Sequence, residues 1–166
     1  FNNILCDKYR KGHFDGVITV LNKFFSIVKS NKVYFGEKDF QQLKIIEKFI
    51  QQKYKFLEII SVPTKRNELG IAYSSRNEKL SKKQLQDFVS FHQKVENFLK
   101  SLENSFDIEI ANQKAKDFIV EQDIEKLDYF EFRNNEDLSF NGKVSESRLF
   151  YAIYKGKIRL IDNLKI

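Results

Sequence analysis

Between Asp15 and Ser30 the chain sets Val17, Val20, Leu21, Phe24, Phe25 and Val28 at the three- and four-residue spacing of an amphipathic helix. Lys32–Phe35 then reads as a short strand ending at Gly36. A second helix is predicted from about Lys38, with Phe40, Leu43, Ile46, Phe49 and Ile50 on its buried side. Phe56–Val62 is a second strand, nearly all apolar, which Pro63 terminates. Helix, strand, helix, strand with short turns is a piece of a parallel α/β sheet. It is only a piece, because two strands do not make a stable doubly wound sheet.

After Pro63 the pattern changes. Thr64 to Arg76 is mixed in polarity and contains Gly70, which predicts a loop with room for a short strand. Ser81 and Gln84 form a capping-box pair opening a helix whose stripe is Leu85, Phe88, Val89, His92, Val95, Leu99 and Leu102. Asp107–Gln122 is a weaker, acidic helix. Leu127–Arg133, Arg148–Tyr154 and Lys157–Asp162 read as strands, the last two joined by a Lys155-Gly156 turn. A small α+β module with an antiparallel sheet is therefore expected to begin near Gly70.

Composition narrows the classes. The chain has 166 residues, 42% hydrophobic and 31% charged, which suits a packed globular core rather than disorder. No apolar run reaches the roughly 18–20 residues a bilayer requires, so no membrane span is expected. Cys6 as the single cysteine, with only His13 and His92, excludes a disulfide framework or a cysteine- or histidine-rich metal site and suggests a reducing compartment. The net charge of +6 hides an asymmetry: 11 acidic and 4 basic residues lie between Glu103 and Asp137, leaving a basic remainder. That remainder suits a phosphate-bearing ligand or a nucleic acid, or is a lysine-rich solvated surface. A chain that opens on Phe1 and has no methionine is expected to be a piece of a longer protein.

Candidate chemistry gathers in the segment Gly36-Glu37-Lys38-Asp39-Phe40-Gln41-Gln42, where a strand ends and a helix begins. In an open parallel sheet ligands bind at that carboxyl edge, and a helix N-terminus favours phosphate. Gly36 admits close backbone approach, and Lys38, Asp39 and Gln42 can share the first turn's surface. Lysine would meet phosphate, aspartate sugar hydroxyls, and glutamine a polar second substrate. An ordinary capped helix explains the same residues. Tyr73-Ser74-Ser75-Arg76-Asn77, expected on the same edge of the sheet, puts hydroxyls beside a guanidinium, with Ser75 and Glu78 as a further capping pair. It reads either as a polyphosphate clamp or as a serine cap with a surface arginine. Asp15 is expected to cap the first helix rather than to pair with His13 for catalysis. His92 is read as a packed, hydrogen-bonded histidine, Cys6 as unreactive, and the phenylalanines as core.

The blocks Lys-Gly-His-Phe-Asp-Gly-Val (11–17), Phe-Gly-Glu-Lys-Asp-Phe-Gln-Gln (35–42), Val-Pro-Thr-Lys-Arg (62–66), Ser-Ser-Arg-Asn (74–77) and Gly-Lys-Ile-Arg-Leu-Ile-Asp-Asn (156–163) resemble, in that order, the pantothenate synthetase (pantoate–β-alanine ligase) family. The resemblance implies a Rossmann-like nucleotidyltransferase domain followed by a C-terminal lid, with residues 1–69 as the second half of the nucleotide-binding domain and 70–166 as the lid. It implies an ATP-dependent ligase: pantoate attacks the α-phosphorus to give pantoyl adenylate and pyrophosphate, and the amine of β-alanine displaces AMP. Gly36, Glu37, Lys38 and Asp39 would bind ATP, with Gly36 and Asp39 at the ribose. Lys38 would neutralise charge on the α-phosphate, and Gln42 would hold pantoate. The Lys65 backbone would meet adenine, while Tyr73, Ser74, Ser75 and Arg76 would clamp the phosphates, Lys38 and Arg76 acting in catalysis. A cytoplasmic homodimer using small-molecule substrates, with neither nucleic acid nor membrane as partner, is implied.

The departures are as informative as the matches. Phe40 stands where tyrosine is common, and Tyr73 where methionine, leucine or lysine is usual. The family's His-x-x-His signature, first pantoate glutamine and magnesium-binding acid have no counterpart here. Mg2+ would therefore be held outside this sequence, and the isolated piece is expected to be inactive. The alternatives are another nucleotidyltransferase-fold ligase with a different acid, a basic nucleic-acid-binding module and a non-catalytic remnant.

Overall fold

A computed structural model describes residues 3–166, which divide between Thr64 and Lys65 into two compact units. The first is built from α1 (Leu5–Tyr9), α2 (His13–Ile27), β1 (Lys32–Gly36), α3 (Phe40–Lys53) and β2 (Glu58–Val62). β1 and β2 pair in parallel, Lys32 opposite Glu58 through Gly36 opposite Val62, so α3 is the crossover between them. Its core is Phe25, Ile46, Ile50, Tyr54 and Leu57, packed with Val17, Leu21, Val33, Phe35 and Ile59. Tyr54 is buried with its hydroxyl satisfied, 2.8 Å from Asn22 Oδ1.

The second unit contains α4 (Lys82–Lys100), α5 (Ile108–Val120), β3 (Lys126–Asn134), β4 (Ser147–Lys155) and β5 (Ile158–Lys165). The strands form an antiparallel sheet in the order β3-β4-β5. Its core joins Phe88, Phe91 and Val95 of α4, Ile108, Ala111 and Ala115 of α5, and Phe130, Phe132, Leu149, Tyr151, Ile153 and Leu160 of the sheet. Phe98 stacks on Phe118 with centroids 4.5 Å apart. The expected fold class is therefore present: a parallel sheet with helices, then an α+β module with an antiparallel sheet.

Local corrections follow from turn chemistry. Helix α2 starts at His13, because Gly12 takes a left-handed φ of 73° and its carbonyl accepts the Gly16 N–H. Asp15 lies inside the first turn rather than capping it. Val20, Phe24 and Val28 of the expected stripe are exposed, so that stripe spans more than the covered face. Glu37–Asp39 form a 3-10 turn, and α3 begins only at Phe40. β2 starts at Glu58 instead of Phe56; Phe56 is exposed while Leu57 is buried. Phe24, Phe56 and Phe140 correct the reading of the phenylalanines as core.

In α4 the Ser81–Gln84 capping box forms, and Phe91 replaces Leu85 on the buried side. The Ser75–Glu78 cap does not form: Asn77–Lys79 is a 3-10 turn without side-chain capping, and Ser74 Oγ accepts the Arg76 N–H instead. The second unit begins at Lys65, ahead of Gly70, because an Arg66–Ala72 bridge and an Arg66–Asp162 ion pair fasten the intervening residues to it. Among the described residues no helix is long and apolar enough to cross a membrane.

Candidate active site

In the first unit the ordered transition from β1 to α3 sets the geometry. β1 ends at Gly36 with φ −73° and ψ 137°, and a Cβ built there would have nothing within 4 Å. No steric clash within the chain demands glycine, so the open space beside it is room for something else to approach. Lys38 sits half-buried and Asp39 exposed on the 3-10 turn, with Gln42 half-buried in the first turn of α3. The expected shared helical face is thus split, Lys38 and Asp39 riding on the turn and Gln42 on the helix. Asp39 N-caps α3 without a side-chain hydrogen bond, which leaves the positive end of the helix dipole uncapped by a side chain.

The adjacent glutamines have opposite fates. Gln41 is buried; its Oε1 accepts the Cys6 N–H at 2.9 Å and its Nε2 donates to the Ile4 carbonyl at 2.9 Å. Gln41 is therefore committed to holding α1. The Gln42 side chain makes no hydrogen bond among the described residues. Sequence pattern alone carries no signal for that division.

In the second unit Lys65, Tyr73, Ser74, Ser75 and Arg76 lie on one irregular arm. Tyr73 donates its N–H to the Lys65 carbonyl at 3.1 Å, and Lys65 Nζ stands 5.8 Å from the Tyr73 ring centroid. Asn77 Nδ2 donates to the Ala72 carbonyl at 2.9 Å and its N–H to the Ser74 carbonyl at 3.0 Å, closing a loop around Tyr73–Arg76. The Ser75 hydroxyl and the Arg76 guanidinium are exposed and make no hydrogen bond or ion pair among the described residues. The arrangement presents an unspent guanidinium and a hydroxyl on a loop already held in shape.

The remaining candidates are structural. His13 receives Arg10 Nη1 at 2.9 Å and stacks obliquely on Phe14. His92 is fully buried, with Nδ1 3.1 Å from the Tyr151 hydroxyl and Nε2 3.6 Å from Glu96 Oε1. Burial pushes His92 below its ordinary pKa against the pull of Asp162 and Glu96. Burial, followed by Asp162, pushes the Tyr151 phenol well above its usual range. Among the described residues no group of three or more His, Cys, Asp or Glu side chains could hold a metal ion.

The sequence pattern of the family described as Pantoate-beta-alanine ligase matches residues 1–165. The chain belongs to that family. Relatives of the family include pantothenate synthetases of Caldicellulosiruptor bescii, 36% identical over 98% of the chain, and of Aquifex aeolicus, 38% identical over 98%. The chain spans 58% of the length of each. A solved pantothenate synthetase of Thermus thermophilus superposes with TM-score 0.85 at 29% identity, over 98% of this chain and 59% of that one. The Francisella tularensis pantoate-beta-alanine ligase, complexed with beta-gamma ATP and beta-alanine, superposes with TM-score 0.71 at 32% identity over 98% and 54%. The fold class is thus that of the family's nucleotidyltransferase-like architecture and C-terminal domain.

Proposed function

We propose that the full-length protein joins pantoate to β-alanine at the expense of ATP. In the first half-reaction a pantoate carboxylate oxygen bonds to the α-phosphorus of ATP, and the bond to the bridging oxygen breaks to release pyrophosphate. In the second, the β-alanine nitrogen bonds to the acyl carbon of the adenylate; AMP leaves with the electron pair, the nitrogen loses a proton, and pantothenate results. The active protein is a homodimer in the cytoplasm on this reading.

Each residue's assigned role suits its local chemistry. The Gly36 backbone and Asp39 take the ribose hydroxyls, since open space borders the one and the other has no side-chain partner among the described residues. Glu37 completes the ATP-binding turn. Lys38 offsets the negative charge growing on the α-phosphate, an interaction stronger in the transition state than in the ground state. Gln42 holds pantoate through an amide that no bond among the described residues consumes. The Lys65 backbone reads adenine, and Tyr73, Ser74, Ser75 and Arg76 hold the departing phosphates. The observation that carries the reading is that Asp39, Gln42, Ser75 and Arg76 keep their polar side chains unspent at the positions where the family resemblance places ligands.

The test is product analysis with the full-length protein: AMP and pyrophosphate should accumulate only when pantoate and β-alanine are both supplied. ATP turnover indifferent to pantoate would contradict the assignment.

A further inference from the structure

The arm Lys65–Asn77 has almost no regular secondary structure; Ile71 buries itself in the core of the second unit, and the Arg66 side chain supplies the polar strap that orients the arm. Arg66 Nη1 donates to Asp162 Oδ2 at 2.7 Å and to the Gly70 carbonyl at 2.9 Å. Arg66 Nη2 donates to Asp162 Oδ1 at 3.0 Å and to the Asn163 carbonyl at 3.0 Å. One guanidinium thus closes the arm's own bend through Gly70 and ties it to β5. The Asp162 side chain is 2% exposed, and its Oδ1 also accepts the Asn163 N–H at 2.8 Å. Although burial works against its charge, the Asp162 carboxylate holds the Arg66 guanidinium above its ordinary pKa. The Arg66 guanidinium therefore stays charged at neutral pH.

The anchor point is rigid. Asp162 lies opposite Tyr151 in the β4–β5 ladder, and the Tyr151 hydroxyl meets His92 of α4. The arm also abuts α4 directly. At Gly70, where φ is +77°, an added Cβ would come within 3.0 Å of Glu96 Oε1 and 3.1 Å of His92 Nε2. The arm is therefore wedged against α4 and forked onto β5, with the Tyr73–Arg76 loop, closed by Asn77, projecting from it.

We propose that Arg66 and Asp162 are positioning residues for the nucleotide: their bidentate pair sets where Lys65, Tyr73, Ser74, Ser75 and Arg76 stand, without touching the ligand. This rests on the functional reading above. A fork makes two parallel bonds and fixes orientation as well as distance, which a lysine ammonium does not. Loss of the fork leaves the sheet and the ligand-facing residues chemically intact but displaces them. Misplacement on the order of 1 Å is enough to cost a reaction up to about 10²-fold.

Arg66→Lys in the full-length protein is the decisive variant, with Asp162→Asn as a second route to the same loss. Arg133→Gln is the control; Arg133 is another buried guanidinium of this unit, bonded to Glu131 at 2.6 Å and the Leu138 carbonyl at 2.8 Å. Arg66→Lys is expected to raise the KM for ATP roughly tenfold while leaving the KM for pantoate unchanged. It should also speed amide hydrogen exchange at Tyr73 and Asn77, measured without substrates; Arg133→Gln should do neither. Wild-type exchange at Tyr73 and Asn77 in folded Arg66→Lys and Asp162→Asn proteins would overturn the proposal, as would an equal rise in the KM for ATP with Arg133→Gln. Because exchange is read without substrate, a protein that ignores pantoate would remove the functional reading and still leave the strap tested.

Discussion

Gly36–Gln42 and Lys65–Asn77 hold candidate ligand residues by contrasting means. The first is suspended between a strand and a helix whose hydrophobic faces fix it, with Phe40, Leu43 and Ile46 of α3 in the core. Its Asp39 and Gln42 side chains carry no structural bonds among the described residues. The second is an irregular segment anchored in the core through Ile71, and takes its shape largely from polar side chains, Arg66, Asn67 and Asn77, bonded to backbone. Where regular elements position a site, ligand residues and supporting residues are different classes of side chain and can be changed separately. Where polar bonds do so, a residue remote from the ligand governs it.

Lys38→Ala offers the largest break in that comparison. It is expected to slow adenylate formation by about 10²–10³-fold, the cost of one lost contact to developing charge, with little change in pantoate binding. Rapid-quench measurement of pantoyl adenylate reads it, and equal losses in rate and pantoate affinity would contradict the role. Next comes Asp162→Ala, which strands the Arg66 guanidinium partly buried; breaking such a pair costs about 3–5 kcal/mol and is seen as a lowered urea midpoint. The adjacent glutamines sharpen the contrast further. Gln41→Ala should cost about 1–3 kcal/mol of stability, since the buried Cys6 N–H loses this acceptor and the Ile4 carbonyl one of its donors. Gln42→Ala should leave stability unchanged and raise the pantoate requirement alone.

A smaller effect is set by His92. Its folded pKa lies below its unfolded value, so the unfolded chain takes up the proton first. Stability is fully present above about pH 6.5 and falls as the pH drops toward the folded value. Urea midpoints at pH 7.5 and about 5.5 should differ less in His92→Asn than in the wild type; equal differences would exclude His92 as a source of the pH dependence.

The sequence made the regular elements legible because burial imposes a period on them: each predicted helix and strand exists, displaced at its ends. The misplacements occur where a backbone angle or a local bond intervenes. Gly12 in its left-handed conformation opens α2 at His13, and Ser74 Oγ accepts the Arg76 N–H while the Ser75–Glu78 cap does not form. The stripe over-read in α2 has a different cause. Val20 and Phe24 are apolar but exposed, and periodicity marks hydrophobic positions without saying what covers them.

For the candidate site, residue type and position at a strand end were enough to single out Gly36, Lys38, Asp39 and Gln42. The Arg66–Asp162 strap was not legible. It joins residues 96 positions apart, and no local pattern signals such a pairing. Its members look like an ordinary basic loop and an acidic strand residue until the sheet brings them together.

The central claim is that the Gly36–Gln42 turn serves pantoate-dependent activation of ATP. Exchange of labelled pyrophosphate into ATP by the full-length protein, without β-alanine, tests it most directly. Exchange that requires pantoate and collapses in Lys38→Ala is the predicted result. Exchange that proceeds without pantoate, or survives the loss of Lys38 at the wild-type rate, would contradict the account.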